Sequence, residues 1–281
     1  CALPILVRLH GQDARGPITG ITLMAGFAST VGWPLSAWLE LQAGWRGACW
    51  TWAALHLLLG LPLNLSLPRA EPRTEPRLPA STDTTTAAAK PPAPDGRAPS
   101  LRQGVLLSFA FTLVLFISTA MAAHLPRLLV ASGLSLAAAV ALGGLVGPAQ
   151  VAGRLLEFGV LRRLHPLLSA RLAALLHPAG VLALMVLGTP AAAAFCVLHG
   201  AGNGILTISR GTLPLALFGS AGYGRRQGML LVPAGIAQAL APWVFGLCIG
   251  AWGADALILS AALALCMLAA LLALRVEARR P

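Results

Sequence analysis

Eight stretches of this sequence, roughly residues 17–38, 47–67, 103–123, 131–152, 172–188, 191–217, 228–250 and 256–274, are apolar runs without Asp, Glu or Lys. Only the run 191–217 contains an Arg, Arg210. About 20 apolar residues in a helix cross the hydrocarbon core of a bilayer, and a helix satisfies every backbone polar group within its own segment. The expected fold class is therefore an all-α membrane protein, a helical bundle with eight transmembrane helices visible. Composition agrees: 10 % of residues are charged against about 25 % in soluble domains, and the mean hydropathy is +0.78.

The formal net charge of +11 does not point to nucleic acid, because the basic residues form short clusters between apolar runs rather than one basic face. They sort by side instead. Seventeen of the twenty Lys and Arg fall at one set of alternate connections, Arg46 and Arg127 fall at the other, and Arg210 lies in a run. Since Lys and Arg collect in cytoplasmic loops, both termini are expected in the cytoplasm. Residues 68–102, with eight prolines and the run Thr84-Thr85-Thr86, read as a disordered cytoplasmic linker. The five cysteines form no C-x-x-C pair, and His56, His124, His177 and His199 lack metal-ligand spacing, so no disulfide framework or metal site is expected.

The two sides of the linker match at an offset near 210 residues. Leu3-Pro4-Ile5 leads to Gly11 and Arg15, as Leu213-Pro214-Leu215 leads to Gly219 and Arg225. Gly26-x-Ala28 then leads to Pro34 and Gly44-Trp45, as Gly235-x-Ala237 leads to Pro242 and Trp252-Gly253. Parallel repeats of this kind build transporters from two similar halves. On that reading 1–67 is the end of the first half, 68–102 the linker and 103–281 the second six-helix half. The counterpart of the segment from Arg102 would begin roughly 108 residues ahead of Cys1, room for about four helices. The chain is thus expected to be an N-terminally truncated carrier, its last eight helices of twelve, with the missing half as its partner.

Two six-helix halves joined by a long cytoplasmic linker resemble the major facilitator superfamily. The stretch Gly26-Phe-Ala-Ser-Thr-Val-Gly32-Trp-Pro34 with Gly44-Trp45-Arg46 resembles that family's fifth helix, in a degenerate form of the Gly/Pro signature of drug-proton antiporters. Gly153-Arg154-Leu-Leu-Glu157-Phe-Gly159-Val-Leu-Arg162-Arg163 resembles its G-x-x-x-D-R-x-G-R-R loop with the acid displaced. His124-Leu-Pro-Arg127 before Gly133-Leu-Ser135, and Gly200-x-Gly202-Asn203-Gly204 leading to Arg210 and Gly222-Tyr223-Gly224-Arg225, look like bacterial monocarboxylate or cyanate carriers. The resemblance implies a secondary carrier of a small organic solute in the bacterial inner (plasma) membrane, working by alternating access. It needs no cofactor and leaves proton coupling open.

Several residues suit that role. Gly26, Gly32, Pro34, Gly202, Pro233, Gly235 and Pro242 let apolar helices approach closely or open locally. The resemblance makes Arg154, Glu157, Arg162 and Arg163 a cytoplasmic charge network that locks one state. Arg210 would bind an anionic substrate through its planar fork, with Asn203, His124, Gln150 and Gln238 as polar candidates beside it. A drug-proton efflux carrier is the alternative within the class. An enzyme or an ATP-driven permease would need a nucleophile elbow, a zinc motif or a coupling loop, none of which the sequence contains.

Overall fold

The computed structural model describes residues 2–66 and 100–274, so nearly all of the linker 68–102 lies outside the described residues. Every regular element among the described residues is helical: α1 (Ala2–His10), α2 (Arg15–Leu55), α3 (Leu61–Leu65), α4 (Leu101–Ala131), α5 (Leu136–Gly143), α6 (Val146–Gly159), α7 (Pro166–Leu187), α8 (Ala192–Phe218), α9 (Tyr223–Trp252) and α10 (Ala256–Ala273). Among the described residues six stretches are long and apolar enough to cross a membrane: Trp38–Leu65, Leu101–Ala131, Leu136–Gly159, Pro166–Leu187, Thr189–Phe218 and Tyr223–Ala273. The last holds two of the expected runs, α9 and α10, divided at Gly253 with φ 57°.

The expected helix boundaries move in three places. The gap expected at 39–46 shrinks to Gly44 (φ 67°, ψ 173°), whose non-helical backbone divides α2 into two helices, and run 47–67 continues past α2 through a π-helical turn at His56–Gly60 into α3. Run 17–38 is not among the six stretches, and many of its side chains, those of Gly26 and Pro34 included, lie outside the described residues. The segment 124–130, expected as an external loop, is helical, because α4 continues through Pro126 to Ala131. The run expected at 131–152 starts later, since Gly133 turns the chain with φ 101° and the Ser135 hydroxyl caps α5 by accepting from the Ala138 N–H at 3.3 Å. That shift carries the helix on to Gly159, so Arg154 and Glu157 sit inside α6 rather than in a loop.

Two glycine pairs of the repeat carry left-handed backbone. Gly11 and Gly219 have φ 57° and 76°, and Gly44 and Gly253 have φ 67° and 57°. Only glycine adopts such angles without strain, so the matched residues end helices at matched places.

The core lies between α4, α7, α8, α9 and α10, with Met121, Leu128, Phe195, Phe245 and Leu257 fully buried. α6 packs on α8, and α1 with the start of α2 packs against α6, α8 and α9. Lipid is as apolar as these side chains and gives them no hydrophobic drive to associate, so close packing and hydrogen bonds must hold the helices together.

Candidate functional site

Glycines on α8 set the spacing of its neighbours. Gly200 and Gly204, one turn apart, face α6: a Cβ on Gly200 would stand 2.7 Å from the Val146 carbonyl oxygen, and one on Gly204 would overlap the Gln150 backbone. Gly153 of α6 answers them by meeting the Ala201 carbonyl. Gly202 faces the other way, where a Cβ would meet the Ala173 carbonyl of α7 at 2.9 Å. The Gly200-x-Gly202-x-Gly204 run thus seats two helices on opposite faces of α8. Ridges of small residues allow this backbone approach.

Across that approach the charge of Arg154 on α6 acts on Arg210 of α8. Pro214 inside α8 has no N–H for the carbonyl of Arg210, one turn earlier. Gln227 of α9 supplies the missing donor, its Nε2 reaching the Arg210 carbonyl at 3.1 Å. The Arg210 side chain makes no hydrogen bond or ion pair among the described residues, and it feels the positive charge of Arg154 on α6. Arg154 is 8 % exposed, and its Nη2 donates to Gln150 Oε1 at 3.5 Å. Its Nε and Nη1 are buried without a partner, as is Gln227 Oε1. Buried donors are almost always satisfied in native proteins, so such a cluster is a place for an ordered water, an ion or a ligand.

Glu157, three residues from Arg154, does not neutralise that arginine. It is 1 % exposed and bonds Arg15, whose Nη2 donates to Oε1 at 3.1 Å. Arg15 also donates through Nη1 to the Leu164 carbonyl at 2.9 Å. Beside this clasp, Leu3 and Ile18 press on Gly211, Pro4 lies against Gly224, and Val7 and Ala14 join Leu215 and Tyr223 in one buried cluster. The Tyr223 hydroxyl closes it by donating to the Gly211 carbonyl at 2.7 Å. The segment 3–18 therefore meets residues 211–224, its own counterpart in the repeat. Next to the clasp, His165 accepts the Leu167 N–H through Nδ1 at 3.1 Å and caps α7. Burial, then the charges of Arg15 and Arg171, hold this imidazole below its ordinary titration range.

The remaining sequence candidates scatter. Arg162 lies over the Phe158 ring at 5.2 Å and Arg163 is exposed, so neither bonds Glu157. The sequence reading grouped Glu157 with Arg154 and its neighbours, whereas its partner is Arg15, 142 residues away. His124 of α4 donates through Nε2 to the Pro242 carbonyl at 2.7 Å, in the notch left by Gly246. It ties α4 to α9. Gln238, Pro233 and Gly235 are exposed on α9, and a Cβ added to Gly32 or Gly235 would meet no atom within 4 Å among the described residues. Asn203 lines a small cavity with His177 and His199, and Arg210 lines a second cavity that shares Val114, Leu206 and Met267 with the first.

A family model described as Major Facilitator Superfamily matches residues 2–222. No curated protein matches the chain.

Proposed function

Because the chain belongs to the major facilitator superfamily, whose members are transporters and not enzymes, we propose that it carries a small organic anion across a bacterial inner membrane by alternating access. One observation supports the anion: the charge of Arg154 on α6 bears on Arg210 of α8 and both keep unused donors among the described residues, while Glu157 gives Oε1 to a third cation and holds Oε2 buried without a partner. An arginine at a helix centre costs about 2.5–3.5 kcal/mol on insertion scales, so an unpaired one near a buried one calls for a compensating charge. A carboxylate supplies it, and the guanidinium fork binds that group in two-pronged fashion. The resemblance to monocarboxylate and cyanate carriers points to the same chemistry.

The arginine-rich ends of α6, α7, α8 and α9 lie on the cytoplasmic side in this reading, by the positive-inside rule. The first segment, 1–67, belongs to one half and residues 103–281 to the other, joined through the linker 68–102. The clasp of Arg15 on Glu157 and Leu164, with the cluster around Gly211, shuts the cytoplasmic end between the halves. Opening it would part segment 3–18 from residues 211–224 and expose the arginines to the cytoplasm.

Ligand-induced stabilisation of the purified protein tests the reading. A ligand that binds the folded state raises the melting temperature in proportion to RT ln(1 + [L]/Kd). Small monocarboxylates should stabilise the wild type, and amines of matched size should not. Arg210→Ala should lose the effect, and Arg210→Lys should lose most of it because an ammonium lacks the fork. Equal stabilisation by amines, or full carboxylate stabilisation of Arg210→Ala, overturns the anion reading.

A further inference from the structure

Residues 160–165 join α6 to α7, two helices that end stretches long and apolar enough to cross a membrane, so this turn sits where the chain leaves the bilayer and returns to it. Its backbone is held from inside. The Leu164 carbonyl accepts from Arg15 Nη1 at 2.9 Å, and the Leu161 carbonyl accepts from the Ser169 hydroxyl at 3.3 Å and from Arg15 Nη2 at 3.5 Å. With these carbonyls spent on the interior, the single 3-10 turn Leu161–Arg163 leaves Arg162 and Arg163 exposed.

Neither of these arginines has an acid. The one ion pair among the described residues joins Arg15 to Glu157. Arg162 sits over the Phe158 ring at 5.2 Å, a cation–π contact that leaves its N–H groups without an acceptor among the described residues. The Arg163 side chain makes no hydrogen bond there either. Two neighbouring guanidinium groups thus offer unused donors on the outer side of a turn whose inner side is fully engaged.

An apolar surface continues from them. Leu168, Leu172 and Leu175 are all exposed, and their i, i+4, i+7 spacing puts them in one stripe along α7. The stripe starts at the arginines' end of the helix and runs about 10 Å towards the middle of the span. A soluble anion would satisfy the arginines and leave the stripe unused. An acidic peptide would do the same, because its backbone cannot follow the stripe into hydrocarbon. A phospholipid fits both parts, with its phosphodiester level with the arginines and an acyl chain beneath.

We infer that Arg162, Arg163 and the α7 stripe form a binding site for an anionic glycerophospholipid. The two guanidinium groups hold the phosphodiester by charge-assisted hydrogen bonds, and one acyl chain lies along Leu168, Leu172 and Leu175. A zwitterionic lipid carries the same phosphate but sets its own ammonium beside two arginines, so it binds less well. The site shares its turn with the clasp. Three arginines, 15, 162 and 163, are gathered at this turn against the single acid Glu157. A bound anion offsets the repulsion among them, so lipid binding and the shut clasp favour each other, and the coupling runs equally in both directions.

The test titrates the whole chain, purified in detergent, with phosphatidylglycerol or phosphatidylcholine and counts bound lipid by native mass spectrometry. The first phosphatidylglycerol should bind at least about fivefold more tightly than the first phosphatidylcholine, the worth of one cation beside an anionic headgroup. Arg162→Gln and Arg163→Gln should each weaken it by about the same factor. Arg225→Gln, which removes another exposed arginine at the start of α9, should leave it unchanged, and inorganic phosphate at equal concentration should not displace it. Coupling to the clasp is read at Ile18→Cys, followed by peptide mass spectrometry. Its reaction with maleimide should be slower in nanodiscs containing phosphatidylglycerol than in phosphatidylcholine alone, and Arg163→Gln should abolish the difference. Equal affinity of the wild type for the two lipids, equal weakening by Arg225→Gln, or displacement by phosphate overturns the site, and equal maleimide rates overturn its link to the clasp. The wild-type comparison decides even if a variant fails to fold, and no solute is present, so failure of the anion reading would leave these results untouched.

Discussion

Replacing Gly200 by Ala perturbs the contact on which the arginine pair depends. The new Cβ would stand 2.7 Å from the Val146 carbonyl oxygen and 2.8 Å from Ala149 Cβ, against an ordinary contact distance of 3.4 Å or more. The difference, 3.4 − 2.7, requires α6 and α8 to part by about 0.7 Å, because backbone and Cβ atoms cannot swing aside. Overpacking of this kind costs about 1–3 kcal/mol, while Gly to Ala within a helix returns up to about 1 kcal/mol. Gly235→Ala on α9 is the control: no atom lies within 4 Å of its Cβ position among the described residues, so only the helix gain applies. At about 2–4 °C per kcal/mol, Gly200→Ala should melt at least about 2 °C below Gly235→Ala in a thermal unfolding assay of the purified protein. The carboxylate-induced stabilisation should also fall in Gly200→Ala, since a displacement approaching 1 Å moves Arg154 relative to Arg210. A Gly200→Ala protein that melts with or above the control would refute the close α6–α8 contact.

What the sequence made legible follows from which interactions are local. Hydropathy is a local sum, so the apolar runs were visible, and so were the turn glycines, because Gly11, Gly44, Gly219 and Gly253 each act on their own backbone. Boundaries set by a single cap were not: Ser135 looks like any serine, yet its hydroxyl starts α5 and thereby draws Arg154 and Glu157 into a span. Long-range pairing was harder still. Arg15 stands out in the sequence only as a basic residue of one side and a landmark of the repeat, and nothing nearby shows that it reaches Glu157. The histidines show no metal-ligand spacing in the sequence, and nothing there reveals that 22 residues along a helical hairpin return His199 to His177. The repeat held the one usable signal for the clasp. It relates Leu3-Pro4 to Leu213-Pro214, and a contact near an axis between two similar halves tends to join equivalent surfaces, as segment 3–18 and residues 211–224 do.

Two further outcomes follow from the clasp and its surroundings. Arg15→Ala leaves Glu157 buried without a cation, a change that costs up to about 3–5 kcal/mol for a fully buried pair and less here because Arg15 is 24 % exposed. A cysteine introduced by Ile18→Cys, at a position now fully buried, should therefore react faster with maleimide in the Arg15→Ala background, and an unchanged rate would show that the clasp does not hold the segment shut. His165 gives the same region a pH dependence. Its folded-state affinity for protons is depressed, by burial first and by Arg15 and Arg171 next, so below the ordinary imidazole value of about 6.5 the unfolded chain binds a proton that the folded chain resists. Stability is then complete above about pH 6.5 and declines as the pH falls from there towards the depressed folded value. Protonation would also consume the Nδ1 lone pair that caps the Leu167 N–H and set a cation beside Arg15. Hydrogen exchange at Leu167 and Leu168, corrected for the intrinsic pH effect, should lose protection between pH 7.5 and 5.5. His165→Asn, which can still cap α7 but does not titrate, should show the same protection at both pH values, and a pH-dependent loss that persists in His165→Asn would assign the effect to some other group.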